Sequence, residues 1–170
     1  RAVEPLLGFL TDPDAELRMA AAQTVGELAG KRAVRPLIDA LRDDKSGVRY
    51  FAARSLGAIG DVQAVEPLTQ TLYDPNPDVR VSVVLALSAI GGEQATGALI
   101  AALDDSNWPV RRNAVVGLAQ VGGERALEAL IGALCDSSEQ VRFEAASSLA
   151  SIGERVAEPW CRRCVARTRI

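Results

Sequence analysis

A two-residue mark returns along this chain at one fixed interval. Leu17-Arg18, Val48-Arg49, Val79-Arg80, Val110-Arg111 and Val141-Arg142 each stand 31 residues apart. Six positions before each arginine is an aspartate: Asp12, Asp43, Asp74, Asp105 and Asp136. An ordinary globular domain has no use for such regularity. A fixed period of this length marks a solenoid, whose units bury their apolar faces only by stacking on one another.

Each period holds two helical patterns. The first reads Ala33-Val34-Arg35-Pro36-Leu37-Ile38-Asp39-Ala40-Leu41, with counterparts at 64–72, 95–103 and 126–134. Its apolar residues fall at i, i+1, i+4, i+5 and i+8, a stripe along one helix face. Pro36 and Pro67 sit in the opening turns, where a missing backbone N–H costs least. An Asp-rich turn follows, and then the second pattern, in which Val48, Ala52, Leu56 and Ile59 share a face. Gly60, Gly91, Gly122 and Gly153 stand where each second helix should close in a left-handed residue. Such short connections make the helices antiparallel neighbours. The expectation is an all-α fold in a single domain over 1–170. It begins with a half repeat at 1–10 and continues as five two-helix units over about 14–166. The segment 154–170 reads as an irregular terminal helix: Trp160 replaces the proline of Pro36 and Pro67, and Arg155, Arg162, Arg163, Arg167 and Arg169 make it basic. Terminal repeats commonly depart from the pattern because one face meets water. A patch for nucleic acid or an acidic partner is the alternative.

Composition removes several chemistries. The chain has no histidine, which excludes Ser-His-Asp and Cys-His catalysis and the commonest metal ligand. The glycine pairs at 91–92 and 122–123 sit at helix ends and form no phosphate loop. Cys161-x-x-Cys164 aligns, one period back, with Leu130 and Ala133 on the buried stripe, where a thiol is a small apolar group. Cys135 is the only further cysteine, so neither a metal nor a cofactor is expected. A net charge of −3 does not favour nucleic acid as a partner. No apolar run approaches the roughly 20 residues of a membrane span, and a cytoplasmic setting is expected.

The run Asp61-x-x-Ala64-Val65-Glu66-Pro67-Leu68, followed by Asp74, Val79-Arg80 and Gly91, resembles the HEAT-like repeats named after phycobilisome lyases. It is also similar to the consensus of artificial α-helical repeat binders. The resemblance covers nearly the whole chain. It implies a right-handed α-α superhelix with the second helices lining a concave surface. It also implies that the repeated charges form a stacking ladder. On the residues alone, the turn aspartate would cap the following helix, and the arginine would bridge to a carboxylate of its own or an adjacent turn. Asp12, Arg18, Asp43, Arg49, Asp74, Arg80, Asp105, Arg111, Asp136 and Arg142 are therefore assigned to structure.

Counting from the core valine as position 0, positions 2 and 6 point away from the core. Position 2 is Met19, Tyr50, Val81, Arg112 and Phe143; position 6 is Gln23, Arg54, Leu85, Val116 and Ser147. A solvated face should be polar, yet Met19, Tyr50, Val81, Phe143, Leu85 and Val116 are not, and Trp108 adds to the ridge. Such a band is the composition of an interaction site, and Arg54 and Arg112 favour a ligand carrying carboxylates. The alternative is that curvature or a neighbouring domain covers these residues. The expected function is a non-enzymatic scaffold binding a protein or peptide on this ridge. The resemblance adds two other readings: a subunit of a bilin lyase, and a HEAT-like DNA-binding protein. Helix 1–10 has no preceding partner, so self-association through it is a further expectation.

Overall fold

The computed structural model describes residues 3–28 and 30–167, with side chains for 4–28 and 30–153. Among these residues the chain is helix and turn, without a strand. The first helices are α1 (Val3–Gly8), α3 (Val34–Ala40), α5 (Val65–Thr71), α7 (Gly92–Ala101) and α9 (Glu124–Ala133). The second helices are α2 (Ala15–Leu28), α4 (Ser46–Ile59), α6 (Pro77–Ile90), α8 (Trp108–Val121) and α10 (Glu139–Arg167). The two sets form two layers of a solenoid, each second helix packing on a first helix and on the second helices beside it.

Local chemistry sets the boundaries. Pro77 is pre-set for the first turn of α6, and the Asn76 side chain accepts the N–H of Asp78. Gly60 closes α4 with φ at 70° and ψ at 22°, a left-handed conformation that would strain a side chain, and donates its N–H to the Leu56 carbonyl. Gly91 and Gly122 close α6 and α8, also at positive φ. Gly153 behaves otherwise. It lies within α10, which runs as one helix to Arg167, where the sequence pattern predicted a turn and a separate terminal helix. No ladder aspartate or left-handed glycine breaks it there. Trp160, Cys161, Cys164 and the arginines of that stretch have side chains outside the described residues.

The core is a strip. Leu37, Leu68, Leu99 and Leu130 from the first helices meet Val48, Leu56, Leu87 and Leu118 from the second, all sealed from solvent. The second helices also bury their flanks against one another. Ala22, Ala53, Val84 and Val115, at position 5, are buried although they lie off the predicted core stripe. Ser55 Oγ reaches across a junction to the Ala22 carbonyl at 2.7 Å, and Ser82 Oγ to that of Tyr50 at 2.9 Å. Gly57 permits a close approach: a Cβ built there would stand 2.6 Å from Ala86 Cα. Stacking thus extends the buried arc to both sides of each second helix and leaves a narrow strip around position 6 facing water.

Candidate binding face and the charge ladder

The repeated charges join consecutive units in one pattern. Arg18, Arg49, Arg80 and Arg111 each donate Nε and Nη2 to the two carboxylate oxygens of the aspartate 25 residues on: Asp43, Asp74, Asp105 and Asp136. The Nε contacts are 2.6–2.7 Å, and the side chains are at most 13% exposed. Nη1 of each donates to the carbonyl of its own turn aspartate. This bidentate fork fits a carboxylate in one orientation and therefore fixes the stacking register.

The aspartates do not cap the helices. Each accepts the N–H two residues on, which belongs to Asp14, Lys45, Asn76, Asn107 or Ser138, and so closes the turn just before the helix. The cap falls to later residues, as with Asp14 on Glu16 and Asn76 on Asp78. Asn107 cannot repeat this, because the residue two on is Pro109, which has no N–H. Its buried Oδ1 has no partner among the described residues. Burial alone would raise the carboxyls of Asp43, Asp74 and Asp105, but the arginine and backbone donors outweigh it and hold them below the ordinary range. At Asp136 the hydrogen bond from Arg111 leads, with the same result.

On the other side of α2, α4, α6 and α8, the two predicted rows differ. At position 6, Gln23, Arg54, Leu85 and Ser147 are exposed and Val116 is half-buried. At position 2, Met19, Tyr50 and Val81 are half-buried and pack against the core, while Arg112 is exposed. Met19 lies over Gly47, whose missing Cβ makes the room. Tyr50 stacks edge-on against Phe51 with ring centroids 5.2 Å apart. Phe143, with no described unit beyond it, is 74% exposed. Trp108, at the opening of α8, is exposed. Between α4 and α6, Tyr50 and Val81 line a cleft of about 410 Å³ with Ser46, Gly47, Asn76 and Asp78. The sequence reading missed this polar rim, which lies in the helix N-termini and carries no apolar periodicity. It also missed Glu144, which accepts Arg112 Nε at 2.8 Å. Arg112 is thus committed to a neighbour, and Arg54 is the ridge cation without an ion pair among the described residues.

A sequence profile for HEAT repeats matches residues 1–49, 34–106 and 96–167. No curated protein sequence matches the chain. Among solved structures, an engineered protein is similar at 26% identity, over 90% of this chain and 80% of that one, with a TM-score of 0.68. The complex of CpcE and CpcF of phycocyanin lyase from Nostoc sp. PCC7120 is similar at 26% identity and a TM-score of 0.73. That match spans 86% of this chain but only 63% of that one. A designed armadillo repeat protein in complex with the peptide (KR)4 shares the fold at 22% identity, over 88% and 81% of the two chains, with a TM-score of 0.68.

Proposed function

This chain belongs to the HEAT-repeat family, and from that premise we propose that it is a non-enzymatic scaffold holding a protein or peptide along its second-helix layer. The second helices pack closely on one another, whereas the first helices touch their own kind sparsely. A stack that is tight in one layer and splayed in the other curves with the tight layer inside. On this reading position 6 lines the inner wall, where an extended ligand would meet several units at once. The observation that carries the reading is the exposure of Leu85 and Trp108 on this wall, beside the Tyr50–Val81 cleft. Aromatic and aliphatic anchors in shallow pockets are what protein ligands use. The polar rim of Ser46, Asn76 and Asp78 supplies donors and acceptors for a ligand backbone, and Arg54 a contact for a carboxylate.

The test is a displayed random-peptide selection on the whole chain, with affinities then measured by calorimetry. An Arg54→Glu, Leu85→Glu, Trp108→Ser variant changes exposed positions only and should remain helical. Selected peptides should lose at least about tenfold in affinity for it, roughly 1.4 kcal/mol. Peptides that bind both proteins equally would place the site elsewhere.

A second reading rests on the likeness to the phycocyanin lyase chains: this chain would be one subunit of a chromophore-handling pair. Co-expression with a bilin-producing system, followed by absorbance of the purified protein, separates the two. A retained bilin favours the lyase reading, and a colourless protein that binds selected peptides favours the scaffold.

A further inference from the structure

The core stripe, the ladder and the closing glycines recur because stacking needs them at each junction. A ligand site in such an array stands out where an interior junction departs from its fellows. Position 2 of one second helix faces the residue just before the core position of the next, as where Met19 lies over Gly47. The same register sets Tyr50 against Asp78, Val81 against Pro109 and Arg112 against Gln140. Among these described junctions, that of Tyr50 and Asp78 alone opposes an aromatic ring with a carboxylate. Both line the cleft of about 410 Å³ between α4 and α6, together with Val79 and Val81. This junction is internal: α2 packs on α4 before it, and α8 on α6 after it.

Asp78 is exposed, and its backbone N–H is spent on Asn76 Oδ1. Its carboxylate joins no ion pair among the described residues, unlike the nearby ladder aspartates Asp74 and Asp105. A carboxylate suits the first turn of α6, at the positive end of the helix. That accounts for an acid at this position, but not for the open apolar cleft beside it. The Tyr50 ring is held edge-on by Phe51, so this wall is ordered before any ligand arrives. Arg54 stands one turn beyond Tyr50 on the same helix, exposed and without an ion pair among the described residues. The cleft thus offers an apolar wall with a free carboxylate at its rim, and a free guanidinium lies one turn away.

We propose that this cleft receives a lysine or arginine side chain of the bound protein segment. The inference rests on the scaffold reading and names the residue that its ligand offers at this point. The aliphatic stem lies along Tyr50 and Val81, and the cationic head reaches the Asp78 carboxylate at the rim. The aromatic ring adds attraction for the cation. An apolar side chain would fill the place of the stem but leave Asp78 without a partner, and an acidic one would be repelled. Arg54 then takes a carboxylate of the same segment. Side chains four apart on a helix lie about 5–6 Å from one another, and an extended chain advances about 3.3 Å per residue. The ligand's acid therefore follows its base by about two residues.

Displayed random peptides selected on the whole chain test it. The selected set should enrich lysine or arginine at one position. Replacing that residue by norleucine keeps the stem, removes the charge and needs no change in the protein. It should weaken binding at least about tenfold. Asp78→Asn should weaken the basic peptides by a similar factor, yet bind the norleucine peptides as wild type does, so that the two losses do not add. A fresh selection on Asp78→Lys should turn the preference at that position to aspartate or glutamate. Circular dichroism should show both variants helical. Peptides that depend on Leu85 and Trp108 but carry no preferred basic residue overturn this proposal and leave the scaffold reading standing. So do basic peptides that bind wild type and Asp78→Asn alike, or that lose nothing on exchange to norleucine. A selection that yields no binder to wild type overturns both.

Discussion

Removing Arg80 should show how strongly the ladder couples one unit to the next. Arg80 makes two charge-assisted bonds to Asp105, at 2.7 and 2.9 Å, and one to the Asp74 carbonyl at 2.8 Å. Its side chain is 12% exposed and that of Asp105 10%. Arg80→Ala leaves the Asp105 carboxylate in this half-dry turn with, among the described residues, one backbone donor from Asn107. Breaking a buried pair costs about 3–5 kcal/mol, and partial water access at this edge lowers the figure to about 2–4 kcal/mol. For a chain of this size the midpoint of thermal unfolding should fall by roughly 5–15 °C. Asp105→Asn keeps an oxygen for the Asn107 N–H and should cost about half as much. In a double-mutant cycle with Asp105→Ala, the coupling energy should be about 1.5–3 kcal/mol. Because the junction is central, the loss should also divide the array, so that α1–α6 and α7–α10 unfold in separate steps. Arg142→Ala is the control, since Arg142 meets no carboxylate among the described residues. It should stay within about 0.5 kcal/mol of wild type. Denaturant titration followed by circular dichroism reads all of these. Equal costs for Arg80→Ala and Arg142→Ala, or a coupling under about 0.5 kcal/mol, would refute a ladder that holds the units together.

The same carboxylates predict an acid limit. Asp43, Asp74, Asp105 and Asp136 titrate below their ordinary range in the folded chain, so the stability they contribute is complete above the unfolded-state carboxyl pKa. It is lost as the pH falls through the lower folded values, and a pH series of denaturation midpoints should decline in that acid window and not near neutrality. Gly57→Ala should destabilise by about 1–3 kcal/mol despite alanine's better helix propensity, because its methyl group would meet the α6 backbone; unchanged thermal stability would show that the junction yields. Asn76→Ala should cost about 1 kcal/mol through loss of the cap on Asp78, whereas Asn107→Ala should cost much less, its Oδ1 having no N–H to accept; equal costs would place a donor on Asn107.

The solenoid was legible because its defining contacts are periodic. A core valine, a turn aspartate and a closing glycine recur at one spacing, and each has a local physical meaning that needs no knowledge of distant residues. Position 6 was legible for the same reason: it lies opposite the core stripe on an isolated helix, and all but Val116 of its residues stay exposed in the stack. The half-burial of Met19, Tyr50 and Val81 was not, because a helical wheel describes one helix and neighbouring units add cover, as where Met19 lies over Gly47. Arg112 shows the same limit. Its pairing with Glu144 spans one unit plus a residue, an offset with no signature in a single repeat.

The sequence alone therefore determined the repeat, its helices and turns, and which residues belong to the ladder, since all of these follow from spacing along the chain. Only the tertiary structure decided that Arg18, Arg49, Arg80 and Arg111 reach forward to the next aspartate, that the ladder aspartates close turns and leave the caps to others, and that α10 continues past Gly153. Those outcomes depend on which neighbour lies within hydrogen-bond reach once the units are stacked, and distance across a junction is not written in the period.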